Sequence, residues 1–142
     1  ISGNAGVLVS RAIYVKEGAD RQFLILDAAM NDLIRPAMYD AYHDIVPVVE
    51  AEAGAEQQPY DIVGPVCESG DTFAKQRMMP KLVAGDLVAF RSAGAYGAVM
   101  ASEYNSRALI PEVLVHGDQF AVIRRRPTFD EMINRDTIPE WL

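Results

Sequence analysis

The segment Gly64–Asp71 contains the residues best suited to chemistry. Cys67 is the only cysteine among the 142 residues, Glu68 follows it, and a second carboxylate, Asp71, lies four positions after the cysteine. The segment follows an apolar run, and small and polar residues at the end of a strand can form a loop that presents reactive side chains from a rigid base. A lone cysteine is also often a small buried apolar residue, so both readings of Cys67 stay open.

A second candidate pair surrounds a proline. Arg35 and Tyr39 are four residues apart around Pro36, so a helical turn there would direct both side chains to one side. A guanidinium group binds a carboxylate through two hydrogen bonds, and a phenol adds a donor. The alternative is a surface arginine beside a half-buried tyrosine. Tyr96, in a glycine-rich turn, is likewise either a core aromatic or a phenol that faces a ligand.

Several classes of site lack their sequence signals. The two histidines, His43 and His116, have no partner at zinc-ligand spacing, so both are predicted to be structural and no metal site is expected. No G-x-S-x-G segment indicates a serine hydrolase, and no glycine-rich loop ending in Gly-Lys indicates a phosphate site. The turn 94–97 is too short to be a dinucleotide fingerprint.

Composition limits the partners and the compartment. Half of the residues are hydrophobic and the net charge is -7, so duplex nucleic acid and anionic membranes are poor partners. The basic run Arg124–Arg126 is short and is read as a solvated strand end. No apolar run reaches the length of a membrane span, the opening residues do not predict a secretory signal, and a single cysteine fits a reducing, cytoplasmic location. Because the sequence opens at Ile1, we expect it to be a piece of a longer protein.

Hydrophobic patterning and turn residues predict a β-rich fold. The run 6–16 is left open between strand and helix, and 17–20 is read as a turn. Proline inside 45–49 favours an edge strand there, and Gly117-Asp118 favours a hairpin. Strands are predicted at 22–26, 45–49, 60–66, 87–90, 110–115 and 119–124, and short helices at 27–34, 37–42, 98–104 and 128–134. This pattern predicts one closed barrel or sandwich with small helices at one end.

Several of these segments together resemble the C-terminal domain of diaminopimelate decarboxylases, which belong to the pyridoxal-phosphate decarboxylases with an alanine-racemase-like fold. The opening, Gly3–Gly6, resembles the point where that family's chain leaves its barrel domain. The resemblance extends in order and spacing along nearly the whole chain, through residues 35–43, 64–71, 85–86 and 94–97, with Met100, Ala101, Ser102, Tyr104 and Asn105.

The resemblance implies a mainly β fold, a Greek-key-like β-barrel domain over residues 1–142 with short helices at its active-site end. Residues 1–15 would be the crossover from an N-terminal (β/α)8 TIM barrel that this sequence lacks. In the family, that barrel holds pyridoxal 5′-phosphate on a lysine, and two subunits form a homodimer with shared active sites. The reaction removes carbon dioxide from the D-centre of meso-2,6-diaminopimelate and yields L-lysine, as part of lysine biosynthesis.

The resemblance also assigns roles to five residues. Arg35 and Tyr39 would grip the substrate's distal carboxylate, and Tyr96 would lie near the cofactor and a substrate carboxylate. Glu68 would bind the distal ammonium group and Cys67 would protonate the carbanion, both reaching in from the partner subunit. A thiol is mostly protonated near neutral pH, so it can donate. None of the chain's three lysines matches the family's cofactor-lysine motif, so this piece alone is expected to be inactive.

Two other interpretations remain. One is a related decarboxylase of the same fold, acting on ornithine, arginine or carboxynorspermidine. The residue after the cysteine resembles aspartate in the ornithine enzymes, whereas here it is Glu68, which favours diaminopimelate. The other is a non-catalytic regulatory module that pairs with a decarboxylase. A proton donor such as Cys67 has no use in such a module and argues mildly against it.

Overall fold

The computed structural model describes residues 1–18 and 21–142, which form two compact units, Ile1–Ala101 and Ser102–Leu142. Ala19 and Asp20, the second half of the turn predicted at 17–20, lie outside the described residues. The interpretation of residues 1–142 as one domain, with 1–15 as a crossover, stays a prediction. The first unit contains β1 (Leu8–Glu17), β2 (Gln22–Leu26), α1 (Arg35–Tyr39), β3 (Ile45–Pro47), β4 (Gln57–Val63), β5 (Thr72–Pro80) and β6 (Leu87–Phe90).

These six strands form one sheet in the order β3-β6-β1-β2-β4-β5. All neighbours are antiparallel except β2 and β4, which run parallel. The sheet is nearly closed into a barrel, which confirms the predicted mainly β, barrel-like fold. Strand β3 lies at one edge, where Pro47 cannot donate to a further neighbour, so the edge-strand prediction is also confirmed.

The strands form because their side chains alternate between the core and the opposite face. In β1, Leu8, Ser10 and Ala12 are buried while the residues between them are exposed. In β6, Val88 and Phe90 are buried in the same way, and the Phe90 ring meets Phe73 edge to face, with the centroids 4.7 Å apart. The run 6–16, which the sequence left undecided between strand and helix, therefore forms most of a strand, and one face of that strand lies in the core.

The buried carboxylate of Asp61 in β4 makes a hydrogen bond to β5. Gln76 has φ of +50°, a strained value for a residue with a side chain. Asp61, which is buried, stabilises this irregularity by accepting a hydrogen bond from the Gln76 backbone N–H at 2.9 Å and one from Arg21 at 3.1 Å. Burial alone would raise the pKa of Asp61, but the hydrogen bonds from Gln76 and Arg21, with the charge of Arg21, lower it below the usual value.

Replacing Asp61 with asparagine is expected to destabilise the protein by roughly 1–3 kcal/mol at neutral pH, the usual cost of losing hydrogen bonds to a buried charge. Because the folded pKa is lowered, this stabilisation is present above the unfolded value of about 3.9 and is lost as pH falls through the folded value. Urea unfolding at neutral and at acidic pH measures it. The difference between wild type and Asp61→Asn should shrink at low pH, and a pH-independent difference would contradict this account.

Two predicted helices are wrong, at 27–34 and 98–104. Asp27 does not cap a helix, since its carboxylate accepts from the Ser10 hydroxyl at 2.6 Å and from the Arg11 N–H at 2.8 Å. The segment after it forms turns, and the helix begins instead at Arg35, where the missing N–H of a first-turn proline costs nothing. Residues 98–103 form turns, with Met100 N–H bonded to the Gly97 carbonyl, and only a short 3-10 helix follows, at Tyr104–Ser106.

One strand is absent from the prediction. Strand β5, which spans Thr72–Pro80, lies between the strands predicted at 60–66 and 87–90. Strand β5 is an edge strand, and its many polar residues hide the alternation that marks a half-buried strand. Strand β4 ends at Val63, three residues before the predicted end, so residues 64–66 belong to the loop that carries Cys67.

The second unit contains the predicted hairpin and terminal helix, together with the short 3-10 helix at its start. The hairpin pairs β7 (Glu112–His116) with β8 (Gln119–Arg124), and α2 spans Phe129–Ile133. Thr128 and Glu131 form the predicted capping box. Hydrogen bonding from Arg125, with the Thr128 N–H, lowers the pKa of Glu131 to about 2.

The basic run at 124–126 makes contacts within the second unit. Arg124 forms an ion pair with Glu112 across the hairpin at 2.5 Å, and Arg125 pairs with Glu131. The Arg126 guanidinium donates to the Ala108 carbonyl at 3.3 Å. These three side chains therefore hold the hairpin and its flanking segments together. Within residues 1–18 and 21–142, none of the helices has both the length and the apolar character needed to cross a bilayer.

Candidate functional site

The loop after β4 presents Cys67 and Glu68 to solvent. Its ends are joined by a hydrogen bond from Gly64 N–H to the Asp71 carbonyl at 3.0 Å. Asp71 N–H donates in turn to the Glu68 carbonyl at 3.0 Å, so the chain turns back directly after Cys67. The thiol is exposed, which excludes the reading of Cys67 as a buried apolar residue. Exposure leaves both side chains able to contact a ligand or another chain.

Asp71 anchors this loop, a role that the sequence reading did not assign. The residue is 3% exposed, and its carboxylate accepts from the backbone N–H of Met30 at 2.7 Å and of Val66 at 2.8 Å. A Cβ atom on Gly64 would lie 2.3 Å from the Asp71 Oδ2 atom, so only glycine fits beside this carboxylate. The available signal was an aspartate that follows a glycine in a turn, where such residues often accept backbone hydrogen bonds.

The structure brings Arg35 and Tyr96 together. The Arg35 Cζ atom lies 5.8 Å from the centroid of the Tyr96 ring, within range of a cation–π contact. Tyr96 is 61% exposed, which excludes its reading as a core aromatic, and its backbone has φ of +59°. The exposed ring therefore lies beside a guanidinium group whose residue is half-buried.

Tyr39 lies one helical turn after Arg35, at the last position of α1. Its side chain is 60% exposed, so it is not the half-buried tyrosine of the alternative reading. Asp40 ends the helix in a left-handed conformation, and its N–H bonds to the Arg35 carbonyl. Residues four apart share a helix face, so Arg35 and Tyr39 can bind one group from the same side.

An open groove of about 400 Å³ lies between α1 and the start of β5. Ser69 and Gly70 of the Cys67 loop line one wall, and Arg77 lines another. The Arg77 guanidinium stacks on the Tyr42 ring at 4.4 Å and donates to the His43 carbonyl at 3.2 Å. The five residues to which the sequence analysis assigned roles do not line this groove. The groove is instead lined by their neighbours in α1 and in the Cys67 loop.

His43 is buried, and its Nδ1 atom lies 3.0 Å from the Arg91 carbonyl, a contact within the fold that agrees with a structural role. Within residues 1–18 and 21–142, no three or more histidine, cysteine or acidic residues are grouped so that they could hold a metal ion. The lysines Lys16, Lys75 and Lys81 are all exposed and lie on or just after strands.

Comparisons with known proteins agree with this architecture. A family model described as the C-terminal sheet domain of pyridoxal-dependent decarboxylases matches residues 3–94. The diaminopimelate decarboxylase of Zymomonas mobilis is 52% identical over 139 residues, which cover 98% of this chain and 32% of that protein.

Solved structures give the same result. Diaminopimelate decarboxylase from Helicobacter pylori in complex with L-lysine is 40% identical with a TM-score of 0.86, over 94% of this chain and 32% of that one. The enzyme from M. jannaschii with L-lysine is 36% identical with a TM-score of 0.91, over 99% of this chain and 32% of that one. The chain spans about a third of the length of the curated relatives it matches. Because the family model covers more than half of the chain, the chain belongs to the pyridoxal-dependent decarboxylases, as their C-terminal sheet domain.

Proposed function

We propose that the chain is the C-terminal part of a decarboxylase that converts meso-2,6-diaminopimelate to L-lysine and carbon dioxide in lysine biosynthesis. The observation that carries this proposal is 52% identity, over almost the whole chain, to an enzyme of that name. Glu68 beside Cys67 adds to it, because the residue after the cysteine resembles aspartate in the ornithine enzymes and is glutamate here. A cytoplasmic location and a homodimer with shared active sites are parts of the same proposal.

The residues of this chain could form only one side of a site for pyridoxal phosphate. Arg35, which is half-buried, and the exposed Tyr96 offer a cation and a ring for a substrate carboxylate and the edge of the cofactor, whereas none of the three lysines matches the family's cofactor-lysine motif. The covalent anchor and phosphate site therefore belong to an N-terminal TIM barrel. When bound, the cofactor withdraws electrons from the carbon that loses carbon dioxide.

The chain's own residues bind the far end of the substrate and move one proton. Arg35 and Tyr39 hold the distal carboxylate, and Glu68 of a partner copy balances the distal ammonium group. After carbon dioxide leaves, Cys67 of that copy donates its Sγ proton to the carbon that keeps the electron pair. The resulting thiolate recovers a proton from water, to which the exposed side chain has access.

The test is carbon dioxide release by the full-length protein with pyridoxal phosphate, offered meso-diaminopimelate, ornithine, arginine and carboxynorspermidine in parallel. We expect release from meso-diaminopimelate, none without the cofactor, and none from residues 1–142 alone. Release from one of the other three substrates would keep the reaction and overturn the substrate. No release from any of them, together with inhibition of a separate decarboxylase, would identify a regulatory module instead.

A further inference from the structure

We propose that Asp71 is a positioning residue that sets the geometry of Cys67 and Glu68 and ties it to that of Arg35. The inference rests on the proposed function for the roles of those three residues. Cys67 and Glu68 are exposed residues of one loop, and the Glu68 carboxylate accepts a hydrogen bond from the Gly70 N–H of the same loop at 3.2 Å, so the placement of both side chains depends on the loop backbone. The two hydrogen bonds that the buried Asp71 carboxylate accepts hold this backbone.

One of these bonds acts on the loop itself. Val66 immediately precedes Cys67, and its N–H donates to Asp71 Oδ2 at 2.8 Å. This bond and the one between Gly64 and the Asp71 carbonyl close the loop on both sides of Cys67. The absence of a Cβ atom at Gly64 gives the carboxylate the space to approach both N–H groups.

The other bond reaches the segment that precedes α1. Met30 N–H donates to Asp71 Oδ1 at 2.7 Å. The turn around Met30 is rigid, because the Asp32 carboxylate accepts from Ala29 N–H at 2.9 Å and Leu33 N–H bonds to the Ala29 carbonyl at 3.3 Å. One residue later, Ile34 is the N-cap of the helix that begins with Arg35.

Asp71 therefore joins two sets of residues that serve different active sites in the proposed homodimer. Arg35 acts in the site of its own subunit, whereas Cys67 and Glu68 act in that of the partner. A change at Asp71 should displace the proton donor and disturb the carboxylate clamp through the Met30 turn. Small displacements of positioned groups are costly in catalysis, because the reacting atoms must be held near contact distance.

The test is Asp71→Asn in the full-length holoenzyme. An amide keeps one acceptor oxygen but turns an NH2 group toward a backbone N–H, so one of the two bonds is lost. We expect kcat to fall about tenfold with the cofactor still bound, in line with the loss of one hydrogen bond to a charged group. Hydrogen exchange should rise at the amides of Val66 or Met30.

Asp86→Asn is the matched control. Its carboxylate also accepts a backbone N–H, that of Val83 at 2.8 Å, but in the turn between β5 and β6. This control should leave kcat and exchange at Val66 and Met30 unchanged. Unchanged kcat in Asp71→Asn, or a lower kcat without faster exchange at either amide, would overturn the proposal.

Two further measurements keep the proposal testable if Asp71→Asn does not fold. Gly64→Ala displaces the carboxylate without changing its charge, and it should lower kcat in the same way. In the wild-type protein the amides of Met30 and Val66 should exchange slowly, and rapid exchange at both would overturn the proposal without any variant. Exchange needs no substrate, so a wrong substrate assignment would appear only in the carbon dioxide assay.

Discussion

Replacing Cys67 with alanine in the full-length protein is expected to lower kcat for meso-diaminopimelate by about 10²-fold, the lower end of what a positioned general acid contributes. The variant keeps the proposed substrate contacts of Glu68 and Arg35 but removes the Sγ proton. Since the binding groups remain, the Michaelis constant should change much less than kcat. Steady-state carbon dioxide release measures both constants.

The fold should not respond to this change. Cys67 is exposed, and exposed substitutions usually alter stability by less than about 0.5 kcal/mol. The melting temperature and cofactor absorbance of the variant should therefore match the wild type. Cys67→Ser is the conservative comparison, because a hydroxyl occupies the same place but is a much weaker acid, and its kcat should stay low. Wild-type turnover in Cys67→Ala would show that another group donates the proton.

The elements that the sequence predicted correctly are those with local signals. Strands β2 and β6 have bounds that match the prediction, because each is a short apolar run ended by turn residues. Helix α2 is specified by Thr128 and Glu131, which are three residues apart and form the capping box on their own. The hairpin also has a local signal, because its turn falls at Gly117-Asp118.

The elements that were missed depend on distant partners. Asp27 has the side chain of a helix cap, but Ser10 and Arg11 of the neighbouring strand donate to it instead. The bulge in β5 at Gln76 exists because Asp61 of β4 accepts its N–H. In both cases the two partners are more than ten residues apart, so the local sequence pattern cannot predict these hydrogen bonds.

In the candidate site, too, the residue types could be predicted from the sequence but the contacts between distant residues could not. The residue types at positions 35, 39, 67, 68 and 96 could be chosen from chemistry and from a resemblance. The contact of Arg35 with Tyr96 joins residues 61 positions apart, and no spacing rule predicts it. Asp71 was noted only as a second carboxylate, because its two hydrogen-bond donors become evident only when the loop is closed. Positioning residues are thus harder to predict than the groups they position.

Arg35→Ala in the full-length protein is expected to raise the Michaelis constant for meso-diaminopimelate at least tenfold. A bidentate bond between guanidinium and carboxylate is worth about 1.5–3 kcal/mol, which corresponds to roughly ten- to a hundredfold in binding. The distal carboxylate does not react, so the bond forms equally in the ground state and the transition state. The loss should therefore appear in the Michaelis constant, with kcat changed much less.

Two further variants separate the clamp from general charge effects. Arg35→Lys keeps the positive charge but loses the planar fork that stacks near Tyr96, so its Michaelis constant should remain well above the wild-type value. Arg91→Ala removes an exposed arginine that pairs with Asp44 at 3.4 Å, and it should leave the kinetics unchanged. Unchanged kinetics in Arg35→Ala would remove the carboxylate clamp from the mechanism. A matching loss in Arg91→Ala would show that net charge, rather than the position of Arg35 beside Tyr96, attracts the substrate.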